Sequence, residues 1–399
     1  MHHQWVGPTR IAVIVAALLV IVPPDSAASP TTPNGDGRSF TIAAGGDVLI
    51  HRRIAQVAHI GGGAYDISTM FSEIEHWLST ADLAICHLEV TLTPTNTGLA
   101  FYPLFVAPHE VADAIAGAGY DTCSTAGNHA LDGGWRGIEE TLEILDATGL
   151  RHDGTARSPD ERLPGMYDVS GVPVAHLSYT YGTNGRPIPA DHPYAVNLID
   201  ADAILADAAW AIAHGAEFVI VSLHWGLEGV VAPTGSQSAL AEVLLASPDI
   251  DLILGAHAHV VQPIGEMDGK YVVYGMGNQL SNQNGASGPE YFSTEDGLLV
   301  LVRVTETASG GFAASRIDVV PTWVRRSDYR ILPVRAALVE GEAPRWTLET
   351  SLQRTLERVR ALGATRIRLA PLPVPGRPCD CRFPVWDGFA RRDLTPVID

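Results

Sequence analysis

Strands alternating with amphipathic helices predict an α/β protein. Three observations carry this expectation. Short apolar runs suited to strands recur along the chain, helix punctuation lies between several of them, and 399 residues at 46% hydrophobic content suffice to bury a large core. The runs are Phe40 to Gly45, Asp82 to His87, Asp121 to Thr125, Val172 to Tyr179, Glu217 to Leu223, Asp251 to Gly255, Tyr271 to Gly275, Leu298 to Val304 and Arg316 to Val324. In "PHEVADAIAGAG", Pro108 suits a first helical turn, and Gly117 and Gly119 suit its end. "WRGIEETLEILDATG" places Ile138, Leu142 and Leu145 on one helical face. Less helix separates the later runs, which predicts a second, more antiparallel sheet. "RWTLETSLQRTLERVRAL" reads as a charged amphipathic helix, so residues 331–399 are expected to be a helical appendage and tail outside a main domain at 39–330.

The N-terminus has its own logic. Arg10 precedes the apolar run Ile11 to Val22, followed by Pro23, Pro24 and the small residues "SAAS". That order reads as a signal peptide over residues 1–28, cleaved near Ala28, with a linker at 29–38 and an exported, secreted or envelope-associated protein. A retained membrane anchor is the alternative, although the apolar run is short for a bilayer span. A net charge of −19 argues against nucleic acid, whose binding requires a basic face. Four cysteines are too few for a disulfide scaffold in this length. Cys86 and Cys123 sit within apolar runs, as buried thiols or, on neighbouring strands of an exported protein, as an oxidised pair. Cys379 and Cys381 can close only a tight ring or pair elsewhere.

In open α/β sheets, ligands bind outside the carboxyl ends of the strands. The residues there form a consistent set. After the first run comes "GGDVLIH", with Asp47 and His51. The second ends in "CHLEV", with Glu89 and its neighbour His87. The third leads into "AGNHALDGG", with Asn128, His129 and Asp132. "FVIVSL" delivers His224 and Glu228, and "DLILG" delivers His257 and His259. One such residue is ordinarily a turn former or a satisfied polar group. Oxygen and imidazole donors at five strand ends are a divalent-metal set, suited to one or two ions of Mn, Zn or Fe. In extended chain, residues two apart face the same way, so His257 and His259 are expected to reach one cavity. A bridging carboxylate such as Glu89 can hold two cations about 3.5–4 Å apart.

These stretches, together with "GYDTCSTAGNHALDGGWRGIEETLEIL" and "DLILGAHAHVVQPIGEMDGKYVVYGMGNQ", resemble the bacterial capsule-synthesis family called CapA or PGA_cap. That family is associated with poly-γ-glutamate and related in fold to calcineurin-like metallophosphoesterases. The resemblance implies a metallophosphoesterase-like sandwich of two β-sheets flanked by helices. It further implies Asp47, Glu89, Asn128, His224, His257 and His259 as metal ligands, with His129 as general acid. Asp132 would orient His129 or, alternatively, cap the following helix, and Glu228 would be a further acid/base or a solvated loop residue. The phosphoesterase pattern places a histidine two residues after the first aspartate. Here that position is Leu49, and His51 is the candidate substitute. Arg52 and Arg136, with Arg53 and Arg186, are candidate contacts for an anionic substrate. The implied function is metal-dependent hydrolysis of a phosphoester or of glutamyl amide bonds in capsule biosynthesis, with an anionic polymer or phosphoester and membrane-bound synthesis machinery as partners. The alternative is a non-catalytic component that binds or exports polymer.

Overall fold

The computed structural model describes residues 1–2, 37–286, 288 and 292–373. The leader, cleavage site, linker up to residue 36, Cys379, Cys381 and the tail lie outside the described residues. The fold belongs to the compact unit that begins at Gly37.

Among the described residues, two large sheets face one another. The smaller has six strands, in the order Ile264–Met267, Lys270–Val273, Leu252–Ala256, Phe218–His224, Val172–Thr180 and Gly165–Val169. Its four inner strands run parallel. The larger has nine. Its main path is Arg330–Pro333, Phe312–Arg325, Asp296–Glu306, Ser39–Val48, Leu83–Leu88, Thr122–Ser124 and Arg151–Asp153, while Asn278–Leu280 pairs with Ser39–Val48 and Ile367–Leu369 with Phe312–Arg325. The later strands are antiparallel as expected, but they do not make a second sheet. Asp296–Glu306 pairs with the first strand, Ile42 opposite Val302, and so extends the first sheet.

Strand periodicity explains the layering. Phe40, Ile42 and Ala44 face the smaller sheet's Phe218, Ile220 and Leu254, forming the sandwich core. Between them, Ala43 faces outward to Val111, Ile115, Ile138 and Leu142, on the helices Glu110–Gly117 and Gly134–Thr148. On the far side, Val219, Val221 and Ile253 pack with Ile204 and Leu244 of the helices Ala201–Ala213 and Gly235–Ala246. A buried polar cluster also joins the sheets. Asp153 accepts from the Tyr167 hydroxyl at 2.6 Å and lies 2.8 Å from His176 Nδ1.

Two expectations need correction. Pro108 closes a short strand, Val106–Pro108, and does not open the helix, which begins at Glu110. The segment after residue 330 is no appendage in its described part. Leu332 pairs opposite Trp323, and Leu369 runs beside Val319 in parallel. The expected helix is present as Arg345–Val359, and its Ser351 Oγ and Arg354 Nε each donate to buried Asp296 at 2.6 Å. Part of the charge on this helix, at Arg354, thus fixes it to the sheet.

Cys86 and Cys123 occupy paired positions on adjacent parallel strands, with Cα atoms 4.5 Å apart, and are joined as a disulfide. The bridge lies beside the strand ends that carry His87 and Glu89. A Cys86→Ala/Cys123→Ala protein is expected to lose about 2–4 kcal/mol of stability, measured as a lower urea midpoint with a slope at least as steep, because the freed unfolded chain exposes more surface.

Candidate metal centre

The parallel strands of both sheets end on one side of the sandwich, and that edge gathers the donors. Asp47 is next to last in Ser39–Val48. It follows Gly46, where a Cβ would lie 1.9 Å from the Gly277 carbonyl, so only glycine lets the strand approach closely enough for Asp47 N to bond Gly277 O. His87 and Glu89 flank Leu88 at the end of the next strand, and Leu88 turns into the helical core. Asn128 and His129 occupy the turn after Thr122–Ser124, and His224 ends its own strand.

His257 and His259 do meet in one place, though not by extended-chain alternation. Their φ angles are +88° and +55°, in the left-handed region that non-glycine residues rarely adopt. Asp47 holds this conformation. Its carboxylate accepts from His257 N at 3.2 Å, and it lies 3.1 Å from His259 Nδ1.

Four overlapping groups have their donor atoms within 4.8 Å of one another: Asp47 with His87 and His224, Glu89 with His224 and His257, Asp47 with Glu89 and His259, and Glu228 with His257 and His259. His224 Nε2 is 3.0 Å from Asn128 Oδ1 and 3.6 Å from Glu89 Oε1, which is itself 3.7 Å from His259 Nε2. All six sequence-predicted ligands therefore converge, joined by His87.

The electrostatics fit a cation. Glu89 is fully enclosed, and neither carboxylate oxygen has a hydrogen-bond partner among the described residues. Burial pushes its carboxyl well above the ordinary value. Burial also lowers His224 well below its ordinary value, with neighbouring histidines adding to the effect, which favours the neutral, ligating imidazole. For Asp47, burial acts upward, but the hydrogen bond and charge of His259 prevail and hold the carboxyl down. His259 shows the reverse balance: burial opposes its charge, yet Glu89 and Asp47 raise it to about 10. An orphaned buried carboxylate amid imidazoles is the donor chemistry that a divalent ion satisfies.

The catalytic candidates are also close by. His129 Nδ1 lies 2.6 Å from Asp132 Oδ2, and the same oxygen accepts from Phe105 N at 2.7 Å. Asp132 thus orients His129. It does not cap the following helix, whose capping position is Gly133 with no side-chain bond. Glu228 has its carboxylate beside His257 and His259, at the outer edge of the cluster. The arginines divide. Arg136 points away, exposed and paired with Glu140 at 2.6 Å, because its place on the helix faces solvent. Arg52 lies over the Phe101 ring at 5.0 Å, and Arg53 reaches Gln56. Only Arg186 approaches the acid pair, 3.7 Å from Asp132 Oδ1. His51 belongs to none of the four groups. Its Nδ1 is 3.2 Å from Leu49 O, and burial pushes its pKa down to about 4.

Sequence reasoning gave no role to several residues found here. Asn278 Oδ1 lies 3.0 Å from His259 Nδ1. Tyr181 lays its ring 4.6 Å from that of His257, and Asn184 accepts from Asn128 Nδ2 at 3.3 Å. Tyr181 and Asn184 belong to the loop after Val172–Thr180, a strand end that carries no acid or histidine to mark it.

This arrangement defines a two-sheet α/β protein with a carboxylate–imidazole cluster, suited to a divalent ion, at its parallel strand ends. The chain belongs to the bacterial capsule synthesis family PGA_cap, which matches residues 41–283. It is similar to the PGA biosynthesis protein CapA of Bacillus subtilis, at 24% identity over 315 residues, covering 76% of this chain and 79% of that protein. Among solved structures, it is similar to the calcineurin-like phosphoesterase YfkN of Bacillus subtilis, at 12% identity and a TM-score of 0.42, over 80% of this chain and 97% of that one. A 5′-nucleotidase precursor from Thermus thermophilus matches with 14% identity and a TM-score of 0.42, over 82% of this chain but only 60% of that chain's length.

Glu89→Gln provides a test of the cation reading. It removes the buried charge while keeping the shape, so in EDTA the variant should be at least as stable as the parent in a thermal melt. Its divalent metal content by mass spectrometry should nevertheless fall sharply.

Proposed function

We propose that this protein is an exported, metal-dependent hydrolase acting on phosphoester or glutamyl amide bonds during capsule polymer synthesis. The observation that carries the reading is the buried Glu89 carboxylate, without a hydrogen-bond partner among the described residues and enclosed by His224, His257 and His259. A divalent ion held by Asp47, Glu89, Asn128, His224, His257 and His259 would supply Lewis acidity to the scissile group. The chain's own residues supply the rest. With Nδ1 engaged by Asp132, His129 has Nε2 left to give a proton to the leaving oxygen or nitrogen. Phe105, edge-on to the His129 ring at 4.7 Å, shields that imidazole from water on one side. Arg186 sits where it can hold an anionic group of the substrate, a role that falls to it in place of Arg52 or Arg136.

Export rests on the N-terminal apolar run and on the family's association with capsules. No helix among the described residues is long and apolar enough to cross a membrane. Membrane-bound synthesis machinery remains the partner this reading proposes.

The test is hydrolysis of a chromogenic phosphodiester and of γ-linked glutamyl oligomers by metal-loaded protein. His129→Ala should lower kcat by about 10²–10⁴-fold, with metal content unchanged. Arg186→Ala should act mainly on KM. Loaded protein that shortens neither substrate class, yet retains polymer in a pull-down, would replace catalysis with a binding role.

A further inference from the structure

We infer that His87 is itself a ligand of the cation centre, presented by a relay of two serine hydroxyls. The inference rests on the metal-dependent reading above and adds a residue that it does not include. Three adjacent parallel strands set Asp47, His87 and Ser124 side by side, with His87 in register with both neighbours. Leu88 points into the helical core, so His87 and Glu89 share the opposite face. Leu49 also packs into that core and offers no donor.

The hydrogen bonds of the His87 ring divide cleanly between its two nitrogens. Nδ1 is 3.1 Å from Ser124 Oγ, which is 2.7 Å from Ser178 Oγ, and both serines are buried. A hydroxyl that passes its own proton onward to a second hydroxyl can accept Nδ1–H, which leaves Nε2 as a lone pair. That nitrogen faces Asp47 Oδ1 at 3.8 Å and His224 Nδ1 at 2.8 Å. His224 has its other nitrogen 3.0 Å from Asn128 Oδ1, an acceptor that claims its single N–H. Two imidazole nitrogens and a carboxylate oxygen then face one another, an arrangement that a shared proton satisfies in the free protein and a bound cation would satisfy in its place. A metal-ligating histidine commonly has its second nitrogen fixed by such an outer partner. Ser124 and Ser178 are accordingly positioning residues.

Co(II) titration followed by visible absorption tests the inference without relying on activity. His87→Gly should bind Co(II) at least about tenfold more weakly and show an altered d–d band, because removing a ligand changes the field at the ion. Added imidazole should restore both the affinity and the band. Ser124→Ala should weaken binding less while keeping a band close to the parent's. Far-ultraviolet circular dichroism establishes that each variant is folded, and should His87→Gly fail there, His87→Gln serves in its place. Wild-type affinity and an unchanged band in the folded His87 variant would overturn this inference alone. Parent protein that takes up no Co(II) would overturn the metal-dependent reading as well.

Discussion

A carboxylate with both oxygens buried and unbonded is expensive to keep. The effective desolvation penalty is several kcal/mol per ion unless an opposite charge offsets it. Glu89 is placed in that position, and much of the surrounding architecture is arranged around it. Histidines from three loops and strand ends surround it, and Asp47 lies within the same shell. His259, whose pKa Glu89 and Asp47 raise to about 10, supplies one positive charge within the shell, against the two carboxylates. Arg186 engages Asp132 at the edge of the cluster. One imidazolium against two buried carboxylates leaves room for a bound cation to complete the charge balance.

Holding that centre open requires rigidity elsewhere. His257 and His259 sit in left-handed backbone, a strain of the order of 1–3 kcal/mol per residue, and the Asp47 carboxylate offsets part of it by accepting from His257 N. The carboxylate reaches there because glycine lets its strand press against Gly277. On the other flank, the Cys86–Cys123 bridge ties together the two strands from which Glu89 and Asn128 emerge. The polar contacts of Asp153 with Tyr167 and His176 fix one sheet against the other. Parts of the molecule that seem remote from chemistry thus set the distances among its donors.

The acid pair is built on the same plan. Asp132 uses one oxygen for both His129 and the backbone of Phe105, and turns the other toward Arg186. One buried carboxylate thereby places an imidazole, an aromatic wall and a guanidinium. The loop after Val172–Thr180 brings Tyr181 and Asn184 against the same histidines and asparagine. One side of the cluster is accordingly walled by a segment that contributes none of its acids or histidines.

Local pattern sufficed for a large part of this. Short apolar runs located the principal strands, because a strand buried on both faces reads as a near-continuous apolar stretch. The rule that ligands gather at parallel strand ends gave a wider set that also held His51, His87, His129, Asp132 and Glu228, and the family resemblance narrowed it to Asp47, Glu89, Asn128, His224, His257 and His259 without coordinates. Other features depended on which strand lies beside which. The later antiparallel strands extend the first sheet because Val300 and Val302 fill the same core as Phe40 and Ile42. The chain beyond residue 330 joins that sheet through a hairpin that sets Leu332 opposite Trp323 and through a long-range parallel pairing that sets Leu369 beside Val319. His87 lay in view beside Glu89, but only its register with Asp47 and Ser124 gives it a role. Arg136 and Arg186 look alike as letters. Their difference, one facing solvent and the other Asp132, is a matter of direction in space, which residue type and spacing do not encode.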